Sequence, residues 1–568
     1  MSANARALPP PAPWWLRWPG AAVVAAGAIS YRVCEGDLAQ LTSARARDAV
    51  AGFVGGFWPP AHSTEFLSSL VRPALETLGI AYAGMTLALF VAAPLSFLAA
   101  SPRVFVTGGD QPTRLHMALH HGVRALLSFM RAIPELLWAL LFVRAAGLGA
   151  MPGVLAVGIA YAGVVGKVFA EIYESVPRGP AVALATAGAT PVRAFAFGVF
   201  PQAMPLMTSY TLYRLDCAVR ASAVLGLVGA GGLGQQADVA LRMFQYDETA
   251  TIMLVLFGLV AALDGVSFLV RRRLERSRGL FPHGRVALRN RCLAVVGGTA
   301  AFGATLQALD APLWEMLLPS SVTHVAEFAA GMLPPDLGEL GKVGTALVET
   351  LAISVFGTLL AAALAMALAY PASRKLFLQE LGDEAAKRFM VRWQLRRVVH
   401  SVARGVLNLG RTVPETLWAL LLIFAVGLGP FAGALALALH TAGVLGRLYA
   451  EALEEVDLGP ARAMMNTGVR PGLAVLAAVL PQAFTQLIAF TLYRWEVNVR
   501  ASAVLGLVGG GGLGAQLHVA LGLFQYPQAM TLILGLLVLV LAVEQLSARL
   551  RRALGSGGQG PRAAVAAW

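Results

Sequence analysis

The sequence predicts an all-α polytopic membrane protein made of two parallel repeats of about six transmembrane helices each. Three observations predict it. The 568 residues are 57% hydrophobic and 13% charged, about half the charge content of a soluble globular chain. Apolar stretches near the length needed to cross a hydrocarbon core recur along the whole sequence. The pattern Arg-x-x-Pro-Glu-x-Leu-Trp-Ala-Leu-Leu begins at Arg131 and again at Arg411, and Ala-Ser-Ala-Val-Leu-Gly-Leu-Val-Gly-x-Gly-Gly-Leu-Gly begins at Ala221 and again at Ala501, both 280 residues apart. Upstream, Glu76-Thr77-Leu78 matches Glu349-Thr350-Leu351 at an offset of 273, so one loop of the second copy carries about seven extra residues. Such duplication is how many transporters build a pathway between two related halves.

In the first copy the spans are expected near 20–35, 79–100, 124–146, 150–172, 204–226 and 250–270; in the second, near 292–310, 348–370, 401–427, 430–451, 484–507 and 529–548. The first is short, is flanked by Trp14, Trp15 and Trp18, and lacks a cleavage-site pattern. The domain reading is a first repeat over 1–275, a basic linker over 276–290, a second repeat over 291–552 and a disordered tail over 553–568.

Charge sets the orientation. Arg271, Arg272, Arg273, Arg276, Arg278, Arg285 and Arg289 separate the copies, and a second basic run extends from Arg374 to Arg397. Residues 311–341 hold no Lys or Arg but do hold Glu315, Glu327, Asp336 and Glu339. The positive-inside rule then places the basic loops and both termini in the cytoplasm, in what would be a bacterial inner membrane. An even number of spans between the copies makes the repeats parallel. The net charge of +13 thus reports topology and not nucleic-acid binding.

The loop after each copy's fourth span lies on the cytoplasmic side and carries Gly188 and Pro201, matched by Gly468 and Pro481 at the same spacing of thirteen. It resembles the Glu-Ala-Ala loop of binding-protein-dependent ABC importer permeases, with Ala183 and Ala463 on the first alanine. The family glutamate is replaced by Val182 in one copy and Arg462 in the other. The resemblance implies a coupling helix that docks on a cytoplasmic ATPase.

The blocks Gly229, Gly231, Gly232, Gly234 and Gly509, Gly511, Gly512, Gly514 fit a dinucleotide fingerprint by spacing alone. They follow an apolar span and not a strand, so the fingerprint reading fails. A helix break at an outer gate, where irregular backbone is buried in protein, fits better.

Charges inside spans are costly and usually functional. Arg131 and Glu135 flank Pro134, as Arg411 and Glu415 flank Pro414, and each proline should kink its helix. Deeper lie Arg214, Asp216 and Arg220, answered by Arg494, Glu496 and Arg500. Asp216–Arg220 and Glu496–Arg500 are spaced to neutralise themselves. Arginines lining the pathway would instead offer paired donors to an oxyanion, and Arg214 and Arg494 lack an acid four residues on.

Other features carry less. Cys34, Cys217 and Cys292 are too far apart for a metal or disulfide framework. His116, His120 and His121 read as solvated, and no metal site is expected. Gly166-Lys167 and Gly341-Lys342 are each followed by Val, so no phosphate loop for ATP exists in the chain.

Taken together, Arg131–Leu140 with Arg411–Leu420, Thr211-Leu212-Tyr213-Arg214 with Thr491-Leu492-Tyr493-Arg494, and Val219–Gly226 with its second copy resemble the phosphonate ABC importer permeases. Members of that family are usually single-length chains that pair; here the pair looks fused. The resemblance implies a type I importer fold, a periplasmic substrate-binding protein, and two copies of a separate ABC ATPase that holds ATP and Mg, with no cofactor in this chain. The implied cargo is phosphonate or a related phosphorus oxyanion such as phosphite. Alternatives are a type I permease for another solute such as methionine, or an ion-driven secondary transporter, which would need no Gly–Pro coupling loop.

Overall fold

In the computed structural model, residues 18–37, 44–101, 114–276, 285–311, 319–380 and 390–554 are described. The first copy contains α1 (Trp18–Val33), α2 (Val71–Ala99), α3 (Arg114–Ala132), α4 (Glu135–Ala146), α5 (Ala150–Ser175), α6 (Gly179–Thr186), α7 (Phe200–Leu225), α8 (Gly232–Arg242) and α9 (Tyr246–Arg276). The second repeats them as α10 (Arg285–Ala308), α11 (Leu340–Ala372), α12 (Met390–Thr412), α13 (Glu415–Val426), α14 (Pro430–Glu455), α15 (Gly459–Asn466), α16 (Leu480–Leu507), α17 (Gly512–Gly522) and α18 (Tyr526–Ala553). The described regular elements are helical, as every backbone polar group at membrane depth must be satisfied within its own segment. Most of the expected disordered tail and of the basic linker falls outside the described residues.

Seven helices among the described residues are long and apolar enough to cross a membrane, or ten if each bent pair counts as one span. The expected spans 124–146 and 401–427 are not straight. The axis turns by 84° between α3 and α4 and by 97° between α12 and α13. Pro134 stands at the first turn with an extended ψ of 149°, because proline lacks the N–H that would continue the helix and its ring clashes with the preceding turn. The freed carbonyls are recovered. Trp138 donates its indole N–H to the Met130 carbonyl at 3.2 Å, and Trp418 donates to Gly410 at 3.3 Å. The tryptophan of the duplicated motif therefore closes the elbow that its proline opens. Of the other two spans, α1 is a short apolar helix and α10 does not meet the length and hydropathy test.

The chain forms two compact units that interleave the repeats. One comprises Met1–Ala46, Gly344–Arg411 and Trp418–Ala515; the other comprises Arg47–Val343, Thr412–Leu417 and Gln516–Trp568. In the first unit, α1 packs on the second copy. Tyr31 lies 5.4 Å from Phe356 and 6.1 Å from Phe431 between ring centres, and Cys34 is buried with Ile353 and Leu505. In the second unit, α10 packs on the first copy: Phe302 meets Phe90 at 6.2 Å and the Tyr82 hydroxyl donates to the Gly298 carbonyl at 3.2 Å. The leading helix of each copy thus serves the other copy, an exchange that a fused pair tolerates readily.

Both cores depend on small residues. Gly163 and Gly443 sit where an added Cβ would come within 2.7 and 2.4 Å of the backbone nitrogens of Arg131 and Arg411. Backbones approach this closely in membranes because dispersion and packing replace the hydrophobic drive.

Candidate functional site

Three layers of each repeat bear on function, strung along α7 and α16. At the near end lie the two loops expected to couple to an ATPase, called coupling loops for that expectation. α6 buries Ala181 and exposes Val182 and Ala183, and α15 buries Ala461 and exposes Arg462 and Ala463. Each ends on a left-handed glycine, Gly188 at φ 85° and Gly468 at φ 88°. The Ala189 N–H bonds back to the Leu184 carbonyl at 3.0 Å and the Val469 N–H to Met464 at 3.3 Å, which caps the orphan carbonyls of the helix end. Pro201 and Pro481 closely follow the π turns Phe195–Val199 and Val475–Val479, a local widening of the helix of the kind found at functional sites. Beside them, Gln202 donates to the Pro177 carbonyl at 3.2 Å and Gln482 to the Asp457 carbonyl at 3.3 Å. These glutamines tie the foot of the long helix to the entry of the coupling helix. They escaped the sequence reading, although their place after each repeated proline was a signal.

The middle layer holds the charges. Arg131 ion-pairs with Glu544 on α18, and Lys167 reaches the same carboxylate at 3.1 Å. Glu544 was not singled out from sequence and Lys167 only as a failed phosphate-loop match, yet each is an ionisable side chain in an apolar span. Glu135 and Glu415 open α4 and α13, where a carboxylate meets the positive end of the helix. Arg411 closes α12 and donates to Asn408 at 3.4 Å.

On α7, Asp216 is buried and accepts a hydrogen bond from Ser267 at 2.7 Å. Arg214 donates from Nε to the Tyr210 hydroxyl at 2.8 Å. Its guanidinium carbon lies 5.3 to 5.8 Å from the ring centres of Tyr210, Tyr161 and Tyr213. Among the described residues no carboxylate comes within 4 Å of it. Arg220, Arg494 and Arg500 are half-buried, and Glu496 is buried.

The copies diverge here. At the positions of Tyr161, Ala218 and Met85 the second copy has Thr441, Asn498 and Thr358. Thr441 bonds Asn498 at 3.0 Å, and Asn498 donates to Thr358 at 2.8 Å. All three are buried, so this closed polar network holds α14, α16 and α11 together. Phe490 replaces Tyr210, so the second copy lacks that phenol.

The far layer is the glycine break. α7 is 26 residues long, so it carries the break about 39 Å from the coupling loop. Gly229, Gly231 and Gly232 have φ of 92°, 84° and 73°, and Gly509, Gly511 and Gly512 have 101°, 75° and 70°. Gly234 and Gly514 matter by contact: an added Cβ would lie 1.7 Å from the Ala223 carbonyl oxygen and 1.8 Å from that of Ala503. The Glu-Thr pair of α2 receives the new helix. Glu76 accepts from the Gly232 N–H at 3.2 Å and Thr77 from Leu233 at 2.9 Å. In the second copy, Glu349 accepts from Gly512 at 3.0 Å and Thr350 from Leu513 at 2.8 Å. Four helix N-terminal donors are so satisfied. The repeat of Glu-Thr-Leu was visible in the sequence; its partner was not.

With this geometry in place, relatives can be weighed. The model of the binding-protein-dependent transport system inner membrane component family matches twice, over residues 113–279 and 389–555. A phosphate-import permease protein of Mycolicibacterium smegmatis is 36% identical over 85% of this chain and 85% of its own length. A phosphite transport system permease protein of Stutzerimonas stutzeri is 34% identical over 46% of this chain and 91% of its own, so it matches one repeat's length. The methionine import system permease protein of Bacillus subtilis is 32% identical over 22% of the chain and 60% of its own. The MetNI methionine ABC transporter aligns in structure with a TM-score of 0.31 at 22% identity, covering 39% of this chain and 99% of that one. Two matched domains covering more than half the sequence, and a double-length relative alignable almost end to end, place the chain in one family: it is a binding-protein-dependent transport system inner membrane component with both permease repeats in a single polypeptide.

Proposed function

We propose that this chain is the complete transmembrane pathway of an ATP-driven importer for a phosphorus oxyanion, with hydrolysis carried out by two copies of a separate cytoplasmic ATPase. The observation that carries this reading is the pairing, in each repeat, of an exposed coupling helix at one end of a long helix with a glycine break at the other. A periplasmic binding protein would release its cargo over the breaks, while nucleotide-driven closure of the ATPases would press on α6 and α15. Because Gln202 and Gln482 bind the coupling entries to α7 and α16, displacement of a coupling helix tilts the whole span. Both termini would be cytoplasmic by the positive-inside rule.

The oxyanion reading has its own support. Relatives named for phosphate and phosphite import match longer stretches, at higher identity, than the methionine permease does. Arg214 places a planar set of donors at mid-span without a nearby carboxylate, next to tyrosine hydroxyls. Guanidinium matches tetrahedral oxyanions in geometry as well as charge. An uptake assay tests this in cells stripped of other phosphate importers, using labelled phosphate, phosphite, methylphosphonate and methionine. Uptake of at least one oxyanion and no methionine is expected; methionine uptake alone would remove the substrate assignment.

A further inference from the structure

A cavity in the second copy lies between the end of α11 and α12, beside the basic run that the positive-inside rule puts in the cytoplasm. It measures about 490 Å³ and is lined by Arg374, Trp393, Arg397, His400 and Arg404, among others. The repeat explains part of it. In the first copy Arg124 donates to the Ala99 carbonyl at 3.0 Å and meets Glu174 at 2.8 Å, and Glu174 also accepts from the Ser101 N–H. In the second, Arg404 donates to Ala372 at 2.9 Å and meets Glu454 at 3.6 Å, and Glu454 accepts from the Arg374 N–H. That framework is shared structural wiring, with one arginine for one glutamate.

What the second copy adds is two more guanidiniums and a tryptophan, Trp393, where the first has Thr113. Arg374 stands where the first copy has Ser101, and Arg397 where it has Met117. Both are exposed, and no carboxylate of the described residues comes within 4 Å of either. Arg397 lies over the Trp393 ring, 4.5 Å from its centre, which holds the guanidinium plane in place. His400 is oriented by a 2.9 Å contact between Nδ1 and the Pro371 carbonyl. The excess charge faces a cavity with room for a polyatomic anion.

The surroundings point to where such an anion comes from. Leu395, Val398, Val402, Val406 and Leu409 recur at intervals of three and four along α12, each more than half exposed. In a membrane protein such a stripe faces lipid, and the arginines sit at its polar end. Basic pockets on the cytoplasmic side of transmembrane helices suit phospholipid head groups.

We propose that this second-copy cavity binds a phosphate-bearing anion, held by Arg374 and Arg397 over the Trp393 ledge. Its two possible sources are an anionic phospholipid head group and free phosphate. The occupant would also approach Arg404 and so bias its hold on Glu454, five residues ahead of the start of α15. The site is thereby wired to one coupling helix and not to the other.

The test uses the full chain purified in detergent. One arm titrates phosphatidylglycerol against phosphatidylcholine and counts retained lipid by native mass spectrometry. The other titrates inorganic phosphate and follows tryptophan fluorescence. Saturable binding in the first arm alone identifies a head group, and in the second alone a free anion. In either case R374Q/R397Q should weaken binding by roughly 30-fold, the worth of two surface cations. Conversely, T113W/S101R/M117R should install a second site on the first copy's matching framework, raising the bound stoichiometry from one to two; this arm carries the test if the double glutamine variant does not assemble. Unchanged affinity in R374Q/R397Q, or no gain in T113W/S101R/M117R, overturns the proposal.

Discussion

Arg131, at the elbow of the first copy, is ion-paired with Glu544 on the last helix of the second copy, and Lys167 shares that carboxylate. The side chains of Arg131 and Glu544 are only 10% and 22% exposed, so removal of the acid takes a shared carboxylate from two cations in apolar helices. Glu544→Gln should lower stability by about 3 kcal/mol, read as a drop in the melting temperature of the detergent-solubilised chain. In a double-mutant cycle the R131Q/E544Q protein should be more stable than the sum of the single losses requires. Strict additivity would mean the pair is not coupled.

Arg214 should matter for uptake and not for assembly. Arg214→Ala is expected to reduce oxyanion import at least about tenfold, and Arg214→Lys should recover only part of it because an ammonium cannot present paired planar donors. Arg494→Ala should have the smaller effect, since Phe490 and Thr441 replace two of the three phenols that surround Arg214, Tyr493 alone being kept. Co-purification with the ATPase subunits checks that assembly is intact. Equal losses from Arg214→Ala and Arg494→Ala would make the two repeats equivalent in transport.

The glycine breaks allow a sharp contrast. Gly234→Ala forces a methyl group against the Ala223 carbonyl oxygen, and the resulting overpacking should cost about 3 kcal/mol. Gly258→Ala, on a helix where nothing lies within 4 Å, should be neutral or stabilise the helix by up to about 1 kcal/mol. Thr77→Ala should fall between them, because it uncaps the Leu233 N–H inside the protein. Thermal melting of the three variants orders them, and a tolerated Gly234→Ala would refute the close approach.

The exchange of leading helices can be probed through Cys34, which is fully buried against the second copy. In a C217S/C292S background, maleimide should label Cys34 slowly in the native protein and rapidly once it is denatured. Tyr31→Ala, which removes the contacts with Phe356 and Phe431, should speed native labelling several-fold. Rapid labelling of the unaltered helix would show that α1 is not seated on the second copy.

Much of this organisation could be read from residue patterns. Helix identity followed from apolar length, and the repeat offsets located both elbows, both glycine-capped loops at Gly188 and Gly468, and both glycine breaks. What the sequence withheld was pairing over distance. The helical kink was readable from Pro134, but not its near-right angle, which depends on how α4 packs. Trp138 looked like an apolar motif residue, whereas its indole N–H closes the broken turn. Glu76 and Thr77 were visible only as a repeated tripeptide, since their partners lie 156 residues away. The exchange of α1 and α10 left no periodic signal, because a helix buried on either copy needs the same apolar face. The asymmetry at Tyr161 and Thr441 was present in the letters, but gained meaning only when Arg214 was seen beside one and Asn498 beside the other.

On the proposed function, this chain converts nucleotide-driven motion at two coupling helices into import. The most direct test is the ATP hydrolysis rate of the chain reconstituted in proteoliposomes with its ATPase partner, with and without oxyanion-loaded binding protein. Hydrolysis should rise several-fold only when the loaded binding protein is present, and G188V/G468V, which strains both left-handed caps, should abolish that rise. A chain that neither retains an ATPase nor alters its rate would contradict the account.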